Sequence, residues 1–109
     1  MRQQTLDGVD LTARRRRYRD LVDRRLPAAA DEDWPIQDDH CFERVVLDTL
    51  AGGVWYDHVD GRPAYRHLSA DELDAAIGIA TAMLDGGRPV VAELNDNSLR
   101  WRDNRTDGG

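Results

Sequence analysis

The chain contains no lysine: all fifteen basic residues among its 109 are arginine. Its acids are as one-sided, seventeen aspartates against four glutamates, and the formal net charge is −6. Exchange of lysine for arginine is what GC-rich coding does to a sequence. The aspartate excess also suits a protein that must stay soluble in concentrated salt. The Debye length falls there to about 3 Å at 1 M, and surface carboxylates repel one another less. The composition therefore points to a halophilic archaeon or a high-GC bacterium, with GC bias alone as the competing explanation. The single cysteine, Cys41, excludes an intrachain disulfide and a multi-cysteine zinc site. No apolar run is long enough for a transmembrane helix. Met1 to Asp10 lacks the apolar centre of a signal peptide, so the expected compartment is the cytoplasm and no membrane partner is expected.

The periodicity predicts an all-α fold, a four-helix small domain with an aromatic loop or short hairpin between helices 2 and 3. A chain of this length forms one domain, expected over residues 10–102 between flexible tails at 1–9 and 103–109. The first helix, about 11–26, carries the apolar stripe Leu11, Tyr18, Leu21 or Val22, and Leu26, and Pro27 is expected to stop it. Residues 27–37 read as a linker with Trp34 tucked onto the domain. Asp38 or Asp39 caps a second helix, about 39–51, with Phe42, Val45, Val46, Thr49 and Leu50 on one arc and Gly52-Gly53 as its stop.

Residues 54–68 form a loop, or a hairpin around Asp60-Gly61. Ser69-Ala70-Asp71-Glu72 is a capping box opening a third helix to Asp85. Leu73, Ala76, Ile77, Ala80 and Leu84 face inward there, flanked by Ile79 and Met83, so this helix is expected to be central. Gly78 within it costs about 1 kcal/mol against alanine, a cost that close helix approach would offset. Pro89 suits the first turn of a fourth helix, about 89–102, lined by Val91, Leu94, Ser98 and Trp101.

Chemistry concentrates between Trp34 and Leu68. That stretch holds every histidine (His40, His58, His67), Cys41, the only phenylalanine, and two each of the three tryptophans and three tyrosines. On the second helix His40, Arg44 and Asp48 fall at i, i+4 and i+8, opposite the apolar arc. Such a row can clamp an anion with Arg44, move a proton through His40 and orient it with Asp48. The competing reading is a solvated face with an ordinary Arg44–Asp48 pair. Leu47, apolar on that same face, implies that something covers it. Trp55, Tyr56, Asp57 and His58 follow closely enough to fold back as a roof. Asp57 and His58 could join His40 around a metal ion, but no HxH or HxxxH pair supports this. Structural histidines, no metal site and no cofactor are the expectation. Cys41 reads as a small core residue rather than a nucleophile.

The one basic cluster is Arg14, Arg15, Arg16, Arg17 and Arg19, with Arg24-Arg25 a turn later. These side chains can hold phosphates, but a helix spreads them round its axis, and Asp10, Asp20 and Asp23 balance them. The net charge of −6 opposes nonspecific binding to DNA.

His40-Cys41-Phe42 with Arg44 and Asp48, Trp55-Tyr56-Asp57-His58, Pro63-Ala64-Tyr65 and Leu68-Ser69 resemble a group of short prokaryotic proteins of unknown function. Leu94-Asn95, Ser98-Leu99 and Trp101-Arg102 extend the resemblance, which covers about residues 38–102. Some members of that group are labelled GNAT-type N-acetyltransferases. A GNAT domain is a mixed sheet with an Arg/Gln-x-x-Gly-x-Gly/Ala loop for acetyl-CoA pyrophosphate. No such string occurs in this chain, and the label transfers neither activity nor site.

The leading expectation is a small binding or adaptor module recognising a protein partner or a small anionic ligand. Its surface would be His40, Arg44 and Asp48 with the Trp55–His58 loop. The second is a group-transfer, acyltransferase-like enzyme, and the third nucleic-acid binding through Arg14–Arg25. A cleft joining His40, Arg44 and His58 would favour the enzyme. A flat apolar patch around Leu47 and Trp55 would favour the adaptor. A basic first-helix face free of acidic neighbours would favour nucleic acid.

Overall fold

Helix-forming periods interrupted by glycine and proline produce four helices and no strand among the described residues of the computed structural model. The structure describes the backbone of residues 2–59, 61 and 63–108, and the side chains of 11–59, 61 and 63–104. Helix α1 spans Arg2–Arg19 and continues without a break through a π-helical segment, Asp20–Arg25, into a last α-turn, Leu26–Ala29. Helices α2 (Asp39–Ala51), α3 (Ala70–Gly86) and α4 (Arg88–Gly108) follow.

Three boundaries differ from the sequence expectation. The backbones of α1 and α4 extend through the expected tails to Arg2 and Gly108; the side chains of 1–10 and 105–109 lie outside the described residues. Pro27 does not stop α1. In α register its ring would abut the carbonyl four residues back. The preceding turn is instead wide, with the Leu26 N–H donating to Leu21 O, five residues away. The first helix then ends at Ala30, whose ψ of 126° turns the chain out.

Packing follows the apolar stripes. Tyr18, Leu21, Val22 and Leu26 from the first helix meet Phe42, Val45 and Val46 of α2 and Leu73, Ala76, Ala80 and Met83 of α3, all buried in one core. Helix α3 touches the other three helices, as expected of a central element. Met83, expected on its flank, is fully buried, while Ile77 and Leu84 are partly exposed. The expected linker is shorter, because residues 27–29 are helical; Trp34 packs edge-on against Phe42 with ring centroids 6.2 Å apart and fixes the segment after Ala30 on the core.

The local stops act as the residues dictate. Gly52 takes φ 70° to end α2, and its N–H donates to Asp48 O. At Ser69 both arms of the capping box form: the Glu72 N–H donates to Ser69 Oγ at 3.1 Å and the Ser69 N–H to Glu72 Oε1 at 2.8 Å. One residue, Gly87 at φ 69°, separates α3 from α4. Gly78 is not a helix-contact glycine: it is exposed, and nothing lies within 4 Å of where its Cβ would be.

Between α2 and α3 the chain is a loop with two 3-10 turns, Trp55–Asp57 and Ala64–His67, not a hairpin. Val54, Ala64 and Leu68 anchor it in the core. Asp60, at the expected hairpin tip, lies outside the described residues.

Candidate functional site

Two regions gather arginine and aspartate. The first is a seam between α2 and α4. Asn95, Ser98 and Arg102 fall at i, i+3 and i+7 on α4, which places them on one face. That face covers Arg44 and Asp48 of α2. Asp48 is fully buried there and accepts four hydrogen bonds. Ser98 Oγ donates at 2.6 Å, Arg102 Nε at 2.8 Å and Nη2 at 3.1 Å, and the Trp55 N–H at 3.0 Å. The paired Arg102 fork and the two further donors meet the oxygens of a carboxylate removed from water. Arg44 Nη2 donates to Asn95 Oδ1, while its buried Nε has no partner among the described residues. The Arg102 guanidinium also lies over the Tyr56 ring, 5.5 Å from its centroid, and Tyr56 meets Trp55 edge-on at 5.6 Å.

The expected site is thus assembled only in part. Asp48, Trp55 and Tyr56 come together, and Arg44 sits on the same seam one turn earlier. The cover over Leu47 is the chain itself: Leu47 is buried, so it belongs to no exposed apolar patch. His40 stands apart, exposed at the start of α2 beside Asp39, and no hydrogen bond joins it to Arg44 or His58. Asp57 and His58 are exposed. Among the described residues, His40 groups with Asp38 and Cys41, their ligand atoms within 4.8 Å of one another, and not with Asp57 or His58. Asn95, Ser98 and Arg102 were missed as members of the seam. Their spacing, and the polar Ser98 on an apolar stripe, was the available signal.

The second region is on α1, where the fold sorts the arginines that helical geometry scatters. Arg14 reaches α3 and pairs with Asp74 at 2.7 Å. Arg15 Nη2 donates to Arg66 O at 3.1 Å, and its Nε is buried without a partner among the described residues. Arg19 donates to Asp23 at 3.1 Å and to the Tyr65 hydroxyl at 3.2 Å, with its guanidinium 5.3 Å above the Tyr65 ring. Arg24 and Arg25 both engage Asp20. Arg16 and Arg17 are exposed and have no hydrogen bond or ion pair among the described residues. Arg15, Arg16, Arg19, Arg24 and Arg66 line an open groove of about 600 Å³ with Tyr65, and Asp20 and Asp23 share its wall.

The groove's electrostatics are visible in its tyrosine. The hydrogen bond from Arg66, with the charge of Arg19, holds the Tyr65 phenol below its ordinary pKa. Behind it Tyr18, stacked on Tyr65 at 6.3 Å, is buried and donates to Glu43 at 3.3 Å. Burial, with the Glu43 charge, pushes the Tyr18 phenol up. Burial and then the charge of Asp23 raise Glu43, against the hydrogen bond from Tyr18.

Comparison with known proteins adds no assignment: no family model, curated protein or solved structure matches the chain.

Proposed function

We propose that the protein is a small binding module that captures a phosphate-bearing anionic ligand in the groove between α1 and Tyr65. The observation carrying this reading is the convergence of five arginines on one concavity in a chain of net charge −6. Asp20 and Asp23 are already engaged by Arg24, Arg25 and Arg19. Arg15, Arg16 and Arg66 are left facing the groove without a carboxylate, and a guanidinium presents a planar fork to phosphate oxygens. The volume of about 600 Å³ is that of a small-ligand site. Two carboxylates in the wall disfavour a continuous phosphate backbone, so the reading is a compact anion rather than a nucleic acid.

Thermal-shift and calorimetric titration with pyrophosphate and a nucleoside triphosphate test the reading. Saturable one-to-one binding is expected, lost in the Arg15→Ala/Arg16→Ala double variant and weakened by salt. Absence of binding, or binding indifferent to those substitutions, refutes it. Submicromolar affinity for labelled duplex DNA, abolished by alanine at Arg14–Arg17, would instead establish the nucleic-acid reading. The acidic surface, in the same reading, is an adaptation to high salt. The denaturation midpoint then rises between low and multimolar KCl, and a flat response leaves GC bias as the explanation.

A further inference from the structure

The start of α2 carries a cluster that neither the anion groove nor the Asp48 seam uses. Asp38, His40 and Cys41 bring a carboxylate, an imidazole and a thiol to within 4.8 Å of one another on the surface. We propose that these three side chains form a binding site for a divalent metal ion of zinc type, held by one chain with a fourth position open to water.

The behaviour of Asp38 is the first support. It occupies the N-cap position of α2, where an aspartate ordinarily accepts from an amide of the first turn. Its side chain makes no such bond. Its carbonyl accepts the ordinary first bonds of the helix, from the Cys41 and Phe42 N–H groups at 3.0 and 3.1 Å. The carboxylate of Asp38 has no hydrogen bond or ion pair among the described residues, and it lies beside His40 and Cys41. Asp39 supplies the second. Its Oδ1 accepts from the His40 N–H at 2.8 Å and stands 3.5 Å from His40 Nδ1. Asp39 thus fixes the His40 backbone and sets a negative charge beside the imidazole, from which a bound cation would gain.

The donor set selects the ion. A thiolate, an imidazole and a carboxylate together suit zinc and its spectroscopic substitute cobalt, whereas magnesium and calcium take oxygen alone. Charge permits it: two aspartates and a thiolate exceed the roughly half-unit positive charge of the helix end. Three protein ligands leave the fourth tetrahedral position open, as in zinc sites that bind water or substrate. Ligand atoms within 4.8 Å need only side-chain rotation to close on one ion, because His40 and Asp38 are exposed.

Cobalt titration of the full metal-free chain, read by absorption, tests the site. One equivalent is expected to bind with tetrahedral d–d bands and a thiolate-to-cobalt charge-transfer band, and added zinc displaces both. Cys41→Ser removes the charge-transfer band. His40→Ala and Asp38→Ala, at exposed positions that leave the fold intact by circular dichroism, abolish or strongly weaken binding. Asp39→Asn, which removes only the neighbouring charge, lowers zinc affinity by a smaller factor than His40→Ala does. Octahedral cobalt without a sulfur band, no binding, or affinity unchanged in His40→Ala overturns the proposal. Pyrophosphate binding is unaffected by all four variants, so failure here leaves the groove reading standing.

Discussion

The seam and the groove are built from the same two residue types and do opposite things with them. In the seam one buried aspartate meets four donors, and its charge is consumed within the fold. In the groove five arginines face two aspartates, and the surplus is left toward solvent. Residue type does not separate a structural ion pair from a recognition surface. Burial and the local count of opposing charges do. A fully satisfied buried carboxylate specifies how α4 docks on α2, whereas an unmatched guanidinium costs little at a wet surface and stays available to a ligand.

The largest effect expected from testing that contrast is at Asp48. Asp48→Ala strands the Trp55 amide, Ser98 and the Arg102 guanidinium, and breaking such a pair costs about 3–5 kcal/mol. A urea denaturation curve shifted by less than 1 kcal/mol would mean that the seam is no more structural than the groove. Gly78→Ala supplies a reference touching neither region. Its Cβ enters open space, so stability should rise by about 1 kcal/mol in the same measurement.

Glu43 sharpens the comparison from behind the groove. Burial raises its pKa, so its ionised form at neutral pH is a destabilising charge. Glu43→Gln keeps an acceptor for Tyr18 and should stabilise at pH 7 by a few tenths of a kcal/mol. The gain fades as pH falls from the raised folded-state pKa through the ordinary range of a glutamic acid, because the wild-type group is then neutral in both states. A gain that persists in acid would locate the effect in packing. The smallest effect on stability belongs to Arg16→Ala: within about 0.5 kcal/mol of wild type, yet with weaker pyrophosphate binding. A clear loss of stability there would make Arg16 part of the structure, as Asp48 is.

Most of the fold was legible because its signals are local. The Ser69–Glu72 box, the Gly52 stop and the apolar arc of α2 each act within a few residues, and α2 runs over Asp39–Ala51 as its sequence indicates. Pro27 was misjudged because a wide turn relieves the clash that makes proline a helix stop, and no short-range pattern announces that turn. The site was harder. Helical spacing put His40, Arg44 and Asp48 in one row, but the identity of the element covering that row depends on contacts some fifty residues apart. Leu47 revealed that a cover existed; it could not reveal that the cover was α4. The groove needed Tyr65 and Arg66 to be brought against α1 from the loop, a juxtaposition that a one-dimensional arginine count does not contain.

The wide turn at Asp20–Arg25 has a consequence for how this protein can change over generations. It holds one residue more than an α-helical path would need, and Leu26 reaches the core through that surplus. Deleting a residue there would close the turn to α register, and the Pro27 ring would then abut the carbonyl four residues back. Deletion is therefore closed to drift while Pro27 stands. Substitutions are not: Asp20, Arg24 and Arg25 all face outward from the core. Pro27 holds the turn against shortening while its charges are free, and a lineage can retune the charge of the groove one codon at a time without disturbing the packing beneath it.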